Sequence, residues 1–186
     1  MPYYIYIILV VIVVLVWEII TIYNGLVRGR QHVEEAKSGI SVQQKRRYDL
    51  IPNLVETVKG YAGHERTVFE NVTQARAQAM AGGGGVKEQQ ASENMLTQAL
   101  KSLFAVAENY PQLKANQNFS QLQNDLTDAE NKIQQARDAY NASVREFNTR
   151  VESFPHNFVA REFRFLKYEF YETGEDASRQ PVSVKF

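Results

Sequence analysis

The sequence predicts an all-α protein: an N-terminal transmembrane helix followed by an elongated antiparallel bundle of long helices. Three observations predict it. The chain opens on an unbroken apolar run, its remaining apolar residues recur at helical spacing, and 10 glycines and 5 prolines in 186 residues are too few for a turn-rich β fold.

The first element is the apolar run. No charged side chain occurs over 3–17, and after Glu18 the residues Ile19, Ile20, Thr21, Ile22 and Tyr23 carry the run on. At ~1.5 Å per residue, residues 3–23 cover about 30 Å, the thickness of a hydrocarbon core. Tyr3, Tyr4 and Tyr6 at one end and Trp17 and Tyr23 toward the other fit interfacial aromatic belts. A cleaved signal peptide fits less well, because no basic segment precedes the run and no small-residue cleavage site follows it. A buried core helix would show a polar face, and none exists before Glu18. Arg28, Arg30 and Lys37 follow the span, and Lys45, Arg46 and Arg47 lie beyond. Positive charge on that side predicts that the body faces the cytoplasm and the N-terminus lies outside. Glu18 is the candidate intramembrane or interfacial contact, since a charge at bilayer depth needs a partner, a proton or the headgroup region.

After a polar connector around Ser38 and Gly39, a second tract over 41–81 carries Leu54, Val58, Tyr61, Val68, Val72, Ala75 and Ala79 at helical spacing. Pro52 inside it predicts a kink or a fresh helix start, with Asp49 as the cap. Gly82, Gly83, Gly84 and Gly85 end the tract in a reversal. They are no phosphate loop, because no Gly-Lys-Ser/Thr follows them. A third tract over 86–110 presents Leu96, Leu100, Leu103, Phe104 and Ala107, and Pro111 closes it. The last tract, 116–154, is the most regular. Phe119, Leu122, Leu126, Ala129, Ile133, Ala136, Tyr140, Ser143, Phe147, Val151 and Phe154 advance by threes and fours, the seam of a coiled coil or antiparallel bundle.

One stretch has a more specific pattern: Arg46-Arg47-Tyr48-Asp49-Leu50-Ile51-Pro52-Asn53-Leu54-Val55. It is followed in order by Val58-Lys59-Gly60-Tyr61, His64-Glu65, Ala75-Arg76-Ala77, Tyr110-Pro111-Gln112-Leu113-Lys114-Ala115-Asn116, Tyr140-Asn141, Phe147-Asn148 and Phe154-Pro155. This ordered set resembles the LemA family over 23–171, about four fifths of the chain. The resemblance implies a single N-terminal anchor, a cytoplasmic helical domain and a bacterial inner-membrane setting. It supplies no activity, and relatives in magnetosome membranes suggest only a role in organising membrane. The expected division is an anchor over 1–25, a membrane-proximal connector over 26–40, a LemA-type bundle over 41–171 and a flexible tail over 172–186.

Composition removes several function classes. Lys plus Arg and Asp plus Glu number 21 each, so there is no basic excess for nucleic acid. With no cysteine, disulfides and thiolate chemistry are excluded. His32, His64 and His156 lie in separate segments without metal-ligand spacing, and His64-Glu65 lacks the second histidine of a helical zinc motif. No catalytic residue, cofactor or metal is therefore expected. The candidate interaction surface combines Arg46, Arg47, Tyr48, Asp49, Pro52 and Asn53 with Phe158, Phe163 and Phe165 of the aromatic and basic C-terminal segment. For the first group the bland alternative is a kinked helix whose polar groups satisfy one another; the other is contact with a second copy, a partner or lipid headgroups. For the second group a plug or subunit interface is favoured over membrane contact. The expected function is a non-enzymatic scaffold that self-associates on the inner membrane, with lipid and further copies of itself as partners. An adaptor for a different membrane protein, a protease or sensor, is the rival. An activity near His64 and Glu65 is a further alternative.

Overall fold

The computed structural model describes residues 2–82 and 84–172, and among them there are six α-helices and no strand. They are α1 (Pro2–Lys59), α2 (Arg66–Ala81), α3 (Val86–Glu108), α4 (Pro111–Lys114), α5 (Gln117–Glu152) and α6 (His156–Glu162). The expected all-α class is what is found. Gly83 and most of the expected flexible tail, 173–186, lie outside the described residues.

Two expectations for the first half are corrected. Helix α1 runs through Ser38, Gly39 and Pro52 without a break, so there is no fresh start for Asp49 to cap. Pro52 projects from the exposed side while Ile51, Leu54 and Val55 are buried, and that packing holds both sides of the missing hydrogen bond in one helix. The tract over 41–81, in contrast, is not one helix. It stops at Lys59, turns through Gly60, Tyr61, Ala62 and Gly63, and restarts at Arg66. Two glycines shortly before the new start weaken the helix locally, whereas Ala62 (1% exposed) anchors the turn in the core.

The chain forms two compact units, each contributed by two segments. Among the described residues one comprises Gly39–Arg137 with 170–172. Its core unites Ile51, Leu54 and Val58 of α1 with Phe69 and Val72 of α2, Leu96, Leu100 and Leu103 of α3, Leu113, and Phe119 and Leu126 of α5. Asn116 caps α5, its Oδ1 accepting from the backbone N–H of Asn118 (2.8 Å) and Phe119 (3.1 Å).

The other unit comprises Met1–Ser38 and Asp138–Glu169. Ile22, Leu26 and Val33 of α1 are buried with Tyr140, Val144 and Phe147 of α5, Val159 and Ala160 of α6, and Phe165. The extended segment after α6 establishes their directions. Phe165 meets Tyr23 and Phe147, whereas Tyr168 binds Glu34 through its hydroxyl (2.6 Å) and Asn148 through its backbone (2.9 Å). Glu169 then accepts from the Tyr140 hydroxyl at 3.0 Å. Along this segment the partners ascend on α1 and descend on α5, so the two helices are antiparallel here. Gly29 permits their close approach, since a Cβ there would stand 3.1 Å from the Phe147 ring. At the far end of the predicted α5 seam, Phe154 lies beyond the helix and is 78% exposed.

Candidate functional site

The sequence singles out 46–53 on α1, and the structure divides that stretch by helical phase. Leu26, Val33, Ile40, Arg47 and Leu54 follow one another at intervals of seven, and all five are buried. Arg47 thus occupies a core position in an otherwise apolar stripe. A second charged residue does the same on α3, where Glu93 precedes Leu96, Leu100 and Leu103 on the buried face.

These two residues meet. The Arg47 guanidinium donates to Glu93 with one terminal nitrogen and to Glu130 of α5 with the other, which also approaches the Thr97 hydroxyl at 3.3 Å. Arg47 is 2% and Glu93 1% exposed, whereas the Glu130 side chain is 47% exposed. Tyr48, beside Arg47, donates its hydroxyl proton to the other Glu93 oxygen. Gln89 Nε2 lies 3.3 Å from that oxygen and 3.4 Å from the Ala79 carbonyl. Burial, and then the Glu93 carboxylate, push the Tyr48 phenol above its ordinary range, so it stays a donor at neutral pH. Arg76 Nε closes the outer side on the Tyr48 carbonyl at 2.8 Å. The cluster ties α1, α2, α3 and α5 together.

The geometry is that of a structural junction. The carboxylates are held by the guanidinium, and the adjoining cavity of about 140 Å³, lined among others by Thr97, Leu100 and Phe104, is smaller than ordinary metabolite pockets of roughly 300 Å³ and above. Among the described residues no group of three or more His, Asp or Glu side chains is placed to hold a metal ion.

The other sequence-selected residues lie elsewhere. Arg46 faces outward and binds Asp128 at 2.9 Å; Lys132 reaches the same carboxylate at 3.0 Å. Lys132 above all, with Arg46, holds Asp128 below the usual carboxylate range. Asp49, Pro52 and Asn53 are exposed, and the Asn53 carbonyl accepts from the Thr57 hydroxyl at 2.7 Å. Phe165 is buried against Tyr23, Phe147 and the Arg30 guanidinium, while Phe158 and Phe163 are 61% and 52% exposed. Glu18 is exposed on α1. From Tyr3 to Val16 every side chain of α1 is at least half exposed, and α1 is long and apolar enough to cross a membrane. Sequence reasoning missed Glu93, Glu130, Thr97 and Gln89; the signal was present in Arg47 and Glu93, charged residues in phase with apolar stripes.

Comparison with known proteins agrees with this architecture. Residues 36–186 match the model of the LemA family. The magnetosome protein MamQ of Magnetospirillum gryphiswaldense is 23% identical over 174 residues, covering 80% of this chain and 64% of that protein. The protein LemA of Metamycoplasma hominis is 23% identical over 156 residues, covering 82% of this chain and 69% of its own length. A magnetosome protein MamQ of Paramagnetospirillum magneticum matches at 23% over 175 residues, 81% of this chain and 64% of that one. The chain thus spans about two thirds of the length of these relatives or slightly less.

Proposed function

From a chain that belongs to the LemA family, we propose a non-enzymatic scaffold, anchored in the bacterial inner membrane by the start of α1 and self-associating on its cytoplasmic face. The observation that carries the proposal is the change of pattern along one continuous helix. Up to Ile20 its apolar side chains point outward on every side, and from Ile22 onward most of them lie on a buried stripe, with Tyr23 and Val42 outside it. A helix apolar all round and unpacked fits lipid, and a helix with one apolar stripe fits water on its other faces. The charges following Tyr23 favour a cytoplasmic body. The relatives named magnetosome proteins support a role at a membrane, and confinement to two dimensions raises the effective concentration of anchored copies. Junctions such as Arg47–Glu93 stiffen a bundle without offering chemistry, which suits a structural part.

The test is the mass of the full-length protein extracted with native lipid, combined with crosslinking in intact membranes. A homogeneous assembly of many copies is expected. A monodisperse monomer without crosslinks would overturn self-association. Stable recovery of one different membrane protein at fixed stoichiometry would replace it with the adaptor reading.

A further inference from the structure

The unit that contains the start of α1 carries a second apolar surface. Phe154 (78%), Phe158 (61%), Phe163 (52%) and Leu166 (79%) are all exposed, four large apolar side chains within thirteen residues. Phe154 and Phe158 meet edge to face at 5.9 Å, and Phe163 meets Tyr23 at 4.9 Å. The surface is therefore a patch and not a scatter of single residues.

Its level along α1 follows from contacts within this unit. Gly29 stands against Phe147, and the two helices are antiparallel. Five residues, about 8 Å at ~1.5 Å each, carry α5 from Phe147 to its end at Glu152 and α1 from Gly29 back to Asn24, and Phe154 follows two residues beyond that end. The direct contact of Phe163 with Tyr23 gives the same level. Tyr23 is the last residue of the apolar run, so the patch adjoins α1 where the run ends.

A backbone feature aims the patch. Arg164 adopts a left-handed conformation (φ 56°), and the Phe165 N–H closes back on the Ala160 carbonyl at 2.9 Å. This reversal sends Phe165 inward and leaves Phe163 and Leu166 outside.

The charges beside the patch are basic in excess. Arg161, Glu162 and Arg164 are exposed beside its aromatic residues, two cations to one carboxylate, and Lys167 is paired with Glu152. One helical turn farther from the apolar run is a cavity of about 330 Å³ lined by Arg28, Gly29, His32, Ser143, Glu146 and Arg150. Glu146 holds Arg150 at 2.6 Å, whereas Arg28 has no ion-pair partner among the described residues.

We infer that residues 154–166 form a collar that inserts into the headgroup–acyl boundary of an anionic bilayer, with Arg28 and the cavity beside it facing the lipid phosphates. The inference rests on the membrane-anchor reading of α1. Aromatic side chains with one end apolar and basic neighbours favour that boundary, and each cation near an anionic surface is attracted to it. A second membrane contact at the level of Tyr23 fixes the unit's orientation on the bilayer, which a single flexible tether would not do.

The chain's one tryptophan, Trp17, lies in the apolar run, so fluorescence separates the two readings. The full-length protein is reconstituted in phosphatidylcholine–phosphatidylglycerol vesicles whose acyl chains are brominated at different depths. In the unchanged protein, loss of Trp17 emission to the bromines tests the anchor. In the Trp17→Phe, Phe158→Trp protein, the collar predicts a blue-shifted indole quenched most by the shallowest bromines. Trp17→Phe, Leu166→Trp should behave the same way, so one poorly folded variant does not decide the outcome. Water-like emission untouched by bromine at any depth, in both variants, overturns the collar while leaving the anchor in place. Unquenched Trp17 in the unchanged protein overturns both. Replacing phosphatidylglycerol by phosphatidylcholine should weaken the shallow quenching, and Arg28→Gln should remove that lipid dependence. An indole equally quenched in both lipids overturns the assignment of Arg28 to lipid phosphate.

Discussion

Removing the Arg47 guanidinium while leaving Glu93 in place tests whether the buried junction is a connected unit. Arg47→Met keeps an unbranched apolar stem in the stripe between Ile40 and Leu54 and deletes the charge. Glu93, 1% exposed, then keeps only the Tyr48 hydroxyl and the Gln89 amide at 3.3 Å. Breaking a buried pair by removing one member costs about 3–5 kcal/mol. The two remaining donors place the expected loss near the lower bound, about 3 kcal/mol. Glu93→Leu should cost less, about 2 kcal/mol, because Arg47 keeps the half-exposed Glu130 and the Thr97 hydroxyl.

The double variant decides the matter. In Arg47→Met, Glu93→Leu no charge remains buried, Glu130 turns to water, and the Tyr48 hydroxyl has the Ala79 carbonyl at 3.2 Å. A buried pair replaced by apolar residues of similar size is often neutral, so its stability should lie within about 1 kcal/mol of the original. The resulting coupling is at least about 4 kcal/mol, far above the few tenths expected of independent sites. Urea unfolding of the full-length proteins in mild detergent, followed by circular dichroism, measures all four corners. Additive losses, or an Arg47→Met loss below about 1 kcal/mol, would refute the reasoning.

Gly39 lies inside α1 with no atom of its surroundings within 4 Å of where an added methyl would stand, so Gly39→Ala should stabilise by about 1 kcal/mol in the same unfolding assay. Gly29→Ala should gain clearly less, because its methyl meets the Phe147 ring at 3.1 Å. Arg164→Gly should stabilise by about 1 kcal/mol by relieving the left-handed backbone (φ 56°), read as a raised urea midpoint. Burial, and then Glu34, push the Tyr168 phenol from 10.0 up to about 12. A raised folded-state value means its contribution is intact below pH 10 and lost as pH rises through 12. Tyr48 and Tyr171 are raised as well, so alkaline titration by ultraviolet absorbance should show several late phenolates, and Tyr168→Phe should remove one of them, near pH 12.

Much of the fold was legible because helical phase is a strong signal over long tracts. The seam of α5 was read in large part: Phe119, Leu126, Ala129, Ile133, Tyr140 and Phe147 are buried, Leu122, Ala136, Ser143 and Val151 are half-buried, and Phe154 is exposed. The errors occur where a local signal competes with packing. Pro52 is a helix breaker in isolation, yet core residues on both sides keep α1 continuous. The interruption at Gly60–Gly63 was hidden because Val58, Ala62 and Phe69 stay in core phase across it. The Arg47–Glu93 junction escaped for a different reason. Each residue looks like an ordinary surface charge until its own stripe is drawn, and the pairing itself depends on how α1 and α3 meet, which no local pattern encodes.

On the membrane-anchor reading, a change of environment along α1 accounts for the different rules its two halves obey. In lipid a side chain on any face lowers the free energy if it is apolar, so the first half has no phase and carries no information about neighbours. In water only a buried stripe is favourable, and the spacing of Leu26, Val33, Ile40 and Leu54 reports the packing of the second half. On that reading phase begins where water begins, and the first buried residue among the described ones is Ile22. That coincides with the contact of Phe163 on Tyr23. A helix that changes solvent at one turn needs a fixed depth, because sliding by even two residues would draw Arg28 toward hydrocarbon or push Ile20 into water. The exposed residues at Phe154, Phe158 and Leu166 occupy the level where such a slide is most effectively resisted.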